Sequence, residues 1–344
     1  QEIWRKAWPI ILANAAVPLL GLADTAVIGN LGNLSQLGAI AVGAMIFSFI
    51  YWSFGFLRMG TTGFTAQASG AQDEAEVRAT LGRALLLSVL LGLGIILLQW
   101  PLALGMFRLF QASAEVEALA EAYFSLRIYG VPGFLIHLVN LGVLFGLQDM
   151  RATMYLNLAL SLTNLVLDVF FVLGLGLGVE GVALGTLLAE WGAALFGLYL
   201  VSRALARLGW RRSRPKNIAD RQALRRFFDV SGNLILRTFF VNLPFFVNSL
   251  VAASMGDALL ALNAVLMQLF FVAIYGIDGF AHTAETLTGY AYGAGRVQQL
   301  RRATGLSTFW GFVVAGAMAG IYALFGQLFV DSLSTAGSVR EAAG

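Results

Sequence analysis

The sequence has 344 residues, of which 58% are hydrophobic and 12% are charged, and its formal net charge is +3. An average soluble domain carries about a quarter of its residues as charges, so this composition excludes a water-soluble globular protein. Nucleic acid is not an expected partner, because the basic residues cluster between apolar runs, as the positive-inside rule describes. Cysteine is absent, which excludes disulfides, thiolate metal sites and cysteine nucleophiles.

Apolar runs long enough to cross a hydrocarbon layer of about 30 Å as helices recur along the whole chain. They predict an all-α integral membrane protein with nine spans, at 8–30, 36–66, 80–106, 117–147, 152–176, 180–204, 227–253, 257–290 and 303–330. The chain opens with Gln1, and its first run is too long for a cleaved signal peptide. We therefore expect it to begin just before the first span.

The distribution of basic residues predicts a cytoplasmic N-terminus in a bacterial inner membrane. With this orientation only Arg108 and Arg340 lie outside. Nine of the 22 basic residues fall in the segment 203–226. This segment predicts a basic cytoplasmic linker at 205–226 between an N-lobe at 1–204, with six spans, and a C-lobe at 227–344, with three.

A weak internal repeat supports two related lobes. Gly70-Ala71-Gln72 and Gly293-Ala294-Gly295 lie 223 positions apart, while the tripeptides at 31–33 and 255–257, and at 78–80 and 302–304, lie 224 apart. Two lobes of six helices each would share one orientation, related by an axis along the membrane normal. Twelve helices are then expected, and this chain supplies nine, so we expect it to be part of a longer protein.

Two aspartates stand inside predicted spans, where an ionisable residue is costly unless it is paired or hydrated. Asp24 lies 16 residues beyond Trp8, and Asp168 lies 16 beyond Ala152. Each therefore sits about 24 Å from the cytoplasmic end of its helix. Asn164 occupies the same helix face as Asp168. Together with Thr186 on the sixth span, these groups could share a proton or coordinate Na⁺.

Simpler roles remain open for these four residues. Asp24 could cap a kinked helix, Asp168 could face a watery cleft, and Asn164 and Thr186 could be polar contacts between helices. The other charged residues in or near spans are explained by salt pairing or snorkelling to the interface; they are Glu190, Arg58, Arg127, Arg237, Asp278 and Glu285. A substrate cavity is predicted to include Asn140, Arg237, Asp278, Met59 and Met267.

No P-loop, HExxH motif or paired nucleophile and histidine is present in the sequence, so an enzyme or an ATP-driven pump is not predicted. An ion gradient is the remaining source of energy. We expect no cofactor, with H⁺ or Na⁺ as the coupling ion.

Two stretches, PLLGLADTAVIG at 18–29 and FLRMGTTGFTAQA at 56–68, resemble the MATE exporters, specifically their DinF branch. The resemblance implies a twelve-helix antiporter, with two six-helix lobes around a cavity, that exports cationic amphipathic drugs in exchange for H⁺ or Na⁺. It also implies an ion site made by an aspartate of helix 1, an Asn-x-x-x-Asp pair of helix 5 and a threonine of helix 6. These correspond to Asp24, Asn164, Asp168 and Thr186.

We therefore expect a monomeric multidrug antiporter working by alternating access, with small amphipathic drugs and membrane lipid as its partners. A flippase for lipid-linked precursors is the alternative within transport. It predicts a strongly cationic cavity, for which Arg58, Arg127 and Arg237 are available. A membrane scaffold without transport activity and an intramembrane enzyme are the alternatives from other classes.

Overall fold

The computed structural model describes Trp8 and residues 34–109, 113–209, 216–218, 220–254 and 257–333. The helices, in chain order, are α1 (Leu34–Ser53), α2 (Gly55–Gly70), α3 (Glu74–Leu97), α4 (Gln99–Leu109), α5 (Ala114–Arg127), α6 (Val131–Gly146), α7 (Met150–Asp168), α8 (Gly178–Arg207), α9 (Arg221–Ser254), α10 (Asp257–Gly293) and α11 (Val297–Leu333). A 3₁₀ turn, Ile128–Gly130, joins α5 to α6, and a π-helical turn, Val169–Gly174, follows α7. No strand occurs within these described ranges.

The predicted all-α membrane fold is confirmed. Eight of the nine predicted spans fall on described helices, and the first, 8–30, lies outside the described residues apart from Trp8. In the described part, six helical segments are long and apolar enough to cross a membrane; they are Ser35–Gly70, Glu74–Leu97, Ala114–Gly146, Met150–Gly174, Gly178–Arg207 and Val297–Leu324. The division into two lobes and a linker stays a prediction.

Two of the turns between helices share one construction. Gln72 and Gln148 adopt left-handed backbone, with φ of 57° and 64°, just after α2 and α6 end. The following aspartate then caps the next helix: Asp73 Oδ1 accepts a hydrogen bond from Glu76 N at 3.0 Å, and Asp149 Oδ1 accepts one from Ala152 N at 3.1 Å. Backbone groups at both helix ends are thereby satisfied, which shortens each connection to a few residues.

Helix α2 lies at the centre of the described bundle. It packs against α6 on one side and α10 on the other, and α8 packs against α5, α6 and α7. The buried side chains between these helices are mostly apolar, while large apolar side chains such as Leu97, Trp100 and Phe312 point outward. A bundle with an apolar exterior is suited to lipid, and its inner polar side chains are therefore candidates for function.

Candidate functional site

Asp168, Asn164 and Thr186 form one hydrogen-bonded cluster between α7 and α8. Asn164 Nδ2 donates to Asp168 Oδ2 at 2.9 Å and to Thr186 Oγ1 at 3.2 Å. Thr186 Oγ1 in turn donates to the carbonyl of Val182 at 3.0 Å. Asp168 is fully buried. Three of the four residues predicted to form the ion site are therefore in direct contact, while Asp24 lies outside the described residues.

The local backbone explains how the carboxylate reaches α8. Asp168 is the last residue of α7, directly before the π-helical turn, and Asn164 lies one turn earlier on the same face. Asp168 Oδ1 rests against Gly185, where the Cβ of any other residue would overlap it. Gly185 is thus part of the site, and the only sequence signal for it is its position next to Thr186.

The direction of the Asn164 amide bears on which ion the cluster can hold. As placed, the amide nitrogen faces both Asp168 and Thr186 and donates to each. Direct coordination of Na⁺ by this side chain would use the amide oxygen, because cations of this kind take oxygen ligands.

A second polar centre lies one helical turn further along α8. Tyr51 Oη donates to Glu190 Oε1 at 2.7 Å, and Arg127 Nη2 lies 3.6 Å from the same oxygen. Arg127 Nη1 also donates to Tyr123 Oη at 2.7 Å, and its guanidinium stands 4.6 Å from the centre of the Phe47 ring. Glu190 and Arg127, two of the charged residues for which salt pairing or snorkelling was expected, thus pair with each other inside the bundle.

A cavity of about 700 Å³ lies between α2, α9 and α10. Three of the five predicted cavity residues line it, namely Met59, Arg237 and Asp278. Asn140 and Met267 are not among its lining residues. Asn140 instead donates from Nδ2 to the carbonyl of Ala194 at 2.9 Å and ties α6 to α8. The assignment of Asn140 and Met267 to the substrate cavity has no support in this lining and stays a prediction.

The cavity carries charges of both signs. Arg58 Nη1 lies 3.5 Å from Glu285 Oε2, and His282 Nδ1 lies 3.8 Å from the same oxygen. Arg226, Arg237 and Asp278 add further charges to the lining. Of the three arginines available for a cationic cavity, Arg127 lies elsewhere, in the cluster with Glu190. The cavity wall is therefore mixed in charge, with apolar side chains between the polar ones.

Comparison with known proteins identifies the family to which this chain is similar. Residues 9–170 and 234–344 match the MatE family. The "DNA damage-inducible protein F" of Escherichia coli K12 is 36% identical over 343 residues, which cover 100% of this chain and 74% of that protein. The "Probable multidrug resistance protein NorM" of Pseudomonas aeruginosa is 26% identical over 330 residues, which cover 94% of this chain and 66% of that protein.

Solved structures agree with the sequence relatives. A MOP superfamily transporter from Pyrococcus furiosus superposes with a TM-score of 0.86 at 25% identity, covering 99% of this chain and 75% of that one. A MATE structure in the bent conformation gives the same TM-score and identity, with 99% and 76% coverage. With its apolar helices and buried polar clusters, this multi-pass membrane chain therefore belongs to the MATE family of transporters, in the branch that contains DinF.

Proposed function

We propose that this chain carries out secondary active efflux, exporting amphipathic cationic compounds in exchange for H⁺ by alternating access. The observation that supports this most directly is the fully buried Asp168 carboxylate, which accepts a hydrogen bond from Asn164, whose amide also donates to Thr186. A buried acid can change its charge on binding one proton, and that change alters which helix arrangement is favoured. Asp24 completes the proposed site, and Na⁺ is the second candidate ion.

The cavity supports the substrate class. Its apolar side chains, among them Met59, Phe64 and Leu234, suit the hydrophobic part of an amphipathic compound. Asp278 and Glu285 offer negative charge for a cationic group. We further propose that the N-terminus is cytoplasmic, because the basic linker and the arginines after α2 and α10 then face the cytoplasm. The protein works as a monomer in a bacterial inner membrane under this proposal.

Flux through proteoliposomes tests the proposal. The protein is reconstituted, a fluorescent amphipathic cation is loaded, and efflux is followed under an imposed pH gradient and then under a Na⁺ gradient. Asp168→Asn and Asp24→Asn are expected to abolish gradient-driven efflux, while Glu180→Gln, an exposed acid at the start of α8, leaves it unchanged. Asp168→Asn protein that inserts normally and pumps at the wild-type rate would refute the assignment.

The flippase alternative is supported by one observation, the three arginines in the cavity lining: Arg58, Arg226 and Arg237. It predicts gradient-linked movement of an anionic lipid headgroup and no efflux of cationic dye. A scaffold predicts neither. Lipid and dye assays on the same vesicles therefore distinguish the exporter, the flippase and the scaffold.

A further inference from the structure

Glu285 lies between two basic side chains on the wall of the cavity. Its Oε2 is 3.5 Å from Arg58 Nη1 of α2 and 3.8 Å from His282 Nδ1 of α10. Both separations exceed the range of a good hydrogen bond. Arg58 Nη1 is buried and has no hydrogen-bond partner. The two basic groups therefore act on the Glu285 carboxylate through charge rather than short hydrogen bonds, and the carboxylate can accept a further cation from the cavity.

One aromatic ring supports the two basic side chains from behind. The Phe145 ring of α6 lies 5.2 Å from the centre of the His282 ring and 5.7 Å from the Arg58 guanidinium carbon. Phe145 itself is buried, whereas His282 and Glu285 both line the cavity and keep part of their side chains exposed. The carboxylate and the imidazole are thus both accessible to a molecule in the cavity.

The internal repeat places the two basic residues at equivalent positions. Arg58 and His282 lie 224 positions apart, which is the offset of two of the three repeated tripeptides. Arginine stays protonated at physiological pH, whereas histidine gains and loses its proton between about pH 5 and pH 8. The number of positive charges beside Glu285 therefore rises from one to two as the pH falls.

The other charged groups around His282 come from α9 and from α10 itself. Asp278 lies one turn before His282 on the same face of α10, and Arg226 and Arg237 of α9 also line the cavity. Helices α6 and α11, which pack against α10 too, give no charged side chain to this lining in the part of the chain that the structure describes. Histidine is the one residue type in the lining whose charge ordinarily changes near neutral pH.

We propose that Glu285 binds the positive group of the transported compound, and that a proton on His282 competes with that compound. The inference deepens the proposed function and rests on it. When His282 is neutral, Glu285 can take the compound as its second cation beside Arg58; when His282 is protonated, that second positive charge is already present and repels the compound. Linkage is reciprocal, so the bound compound also disfavours the proton on His282. An exchanger needs this exclusion, because its compound and its proton travel in opposite directions.

Equilibrium binding of ethidium to the purified protein in detergent tests the proposal. Ethidium carries a permanent positive charge, so its own charge is the same at about pH 8 and at about pH 5.5, between which histidine titrates. The parent protein is expected to bind ethidium at least about fivefold more weakly at the lower pH. His282→Gln cannot take up the proton and should bind tightly at both pH values, whereas His282→Lys keeps the positive charge and should bind weakly at both. Glu285→Gln should weaken binding about tenfold at the higher pH.

Two variants serve as matched controls. His137 is the other histidine of the chain and does not line the cavity, so His137→Gln should keep the pH dependence of the parent. Asp168 lies in the cluster between α7 and α8 and does not line the cavity either, so Asp168→Asn should also keep it.

A pH dependence that persists in His282→Gln, or that disappears in either control, would overturn the proposal. A parent protein that binds ethidium equally at both pH values would overturn it as well, while leaving the proposed efflux intact. No binding at either pH contradicts both the competition and the proposed substrate class. If binding shows the expected pH dependence but proteoliposomes show no efflux, the proposed function fails and the competition at Glu285 stands.

Discussion

Replacing Gly185 with alanine places a methyl group against the Asp168 carboxylate, because the added Cβ would overlap Oδ1. Overpacking of this kind costs about 1–3 kcal/mol. Alanine in place of glycine inside a helix returns about 1 kcal/mol. The folded protein is therefore expected to lose about 0–2 kcal/mol, and the carboxylate must move away from its place beside Asn164 and Thr186.

The matched control lies two turns along the same helix. Gly192 has nothing within 4 Å of an added Cβ, so Gly192→Ala is expected to be neutral or stabilising by up to about 1 kcal/mol. Both variants are compared by thermal unfolding in detergent and by pH-driven dye efflux. Gly185→Ala is expected to reduce efflux, because the displaced carboxylate no longer receives the hydrogen bond from Asn164. Folded Gly185→Ala protein with wild-type efflux would show that the fit of Asp168 against α8 has no role in coupling.

Three further outcomes are expected. Glu190→Met leaves the buried Arg127 without its acidic partner and should lower the free energy of unfolding by about 3–5 kcal/mol. The double variant Glu190→Met/Arg127→Met should recover part of that loss. If the single and double variants lose the same stability, the pair does not contribute as argued. Lys216 Nζ lies 2.5 Å from Asp73 Oδ2, and this hydrogen bond lowers the pKa of Asp73. The ionised Asp73 therefore stabilises the fold above the usual carboxyl pKa, and this stabilisation is lost as the pH falls through the lowered pKa. Lys216→Met should make the melting temperature decline less steeply below about pH 5. The effect should be small because both groups are largely exposed. Asn140→Leu removes the hydrogen bond to Ala194 and should lower the free energy of unfolding by about 0.5–1.5 kcal/mol, with the KM for dye unchanged. A raised KM would indicate that Asn140 contacts the substrate.

The membrane-length helices could be predicted because each long apolar run in the sequence corresponds to one membrane span. The breaks within these spans were harder to predict. The second span is divided at Phe54 into α1 and α2, and the third near Leu98 into α3 and α4. Hydropathy stays high across both breaks, so it gives no warning of them. Pro101, in the first turn of α4, was a usable signal, since proline favours the start of a helix.

The ion site illustrates which distances a sequence can supply. Asn164 and Asp168 are four residues apart on one helix, so their contact follows from helix geometry. Placing Thr186 at the same level required only counting residues from the turn between α7 and α8. The contact of Gly185 with Asp168 depends on how the two helices are rotated about their axes, which no count provides.

The same limit explains the mixed result for the cavity. Arg237 and Asp278 are ionisable, and charge alone argues that they avoid lipid. Asn140 and Met267 carry no charge, so they can pack between helices as readily as they can line a cavity. The pairing of Arg127 with Glu190 joins α5 to α8 across 63 positions, a tertiary contact that a single sequence does not reveal.

The π-helical turn at Val169–Gly174 holds one residue more than an α-helical turn would, and its backbone bonds, such as Leu175 N to Phe170 O at 3.1 Å, remain made. Deleting a single residue there would tighten the coil and swing everything beyond it by roughly 100°. Gly185 would then be carried off its partner even though no side chain in the cluster had been altered. The length of the chain between Asp168 and Gly185 is thus as much a part of this centre as its chemistry.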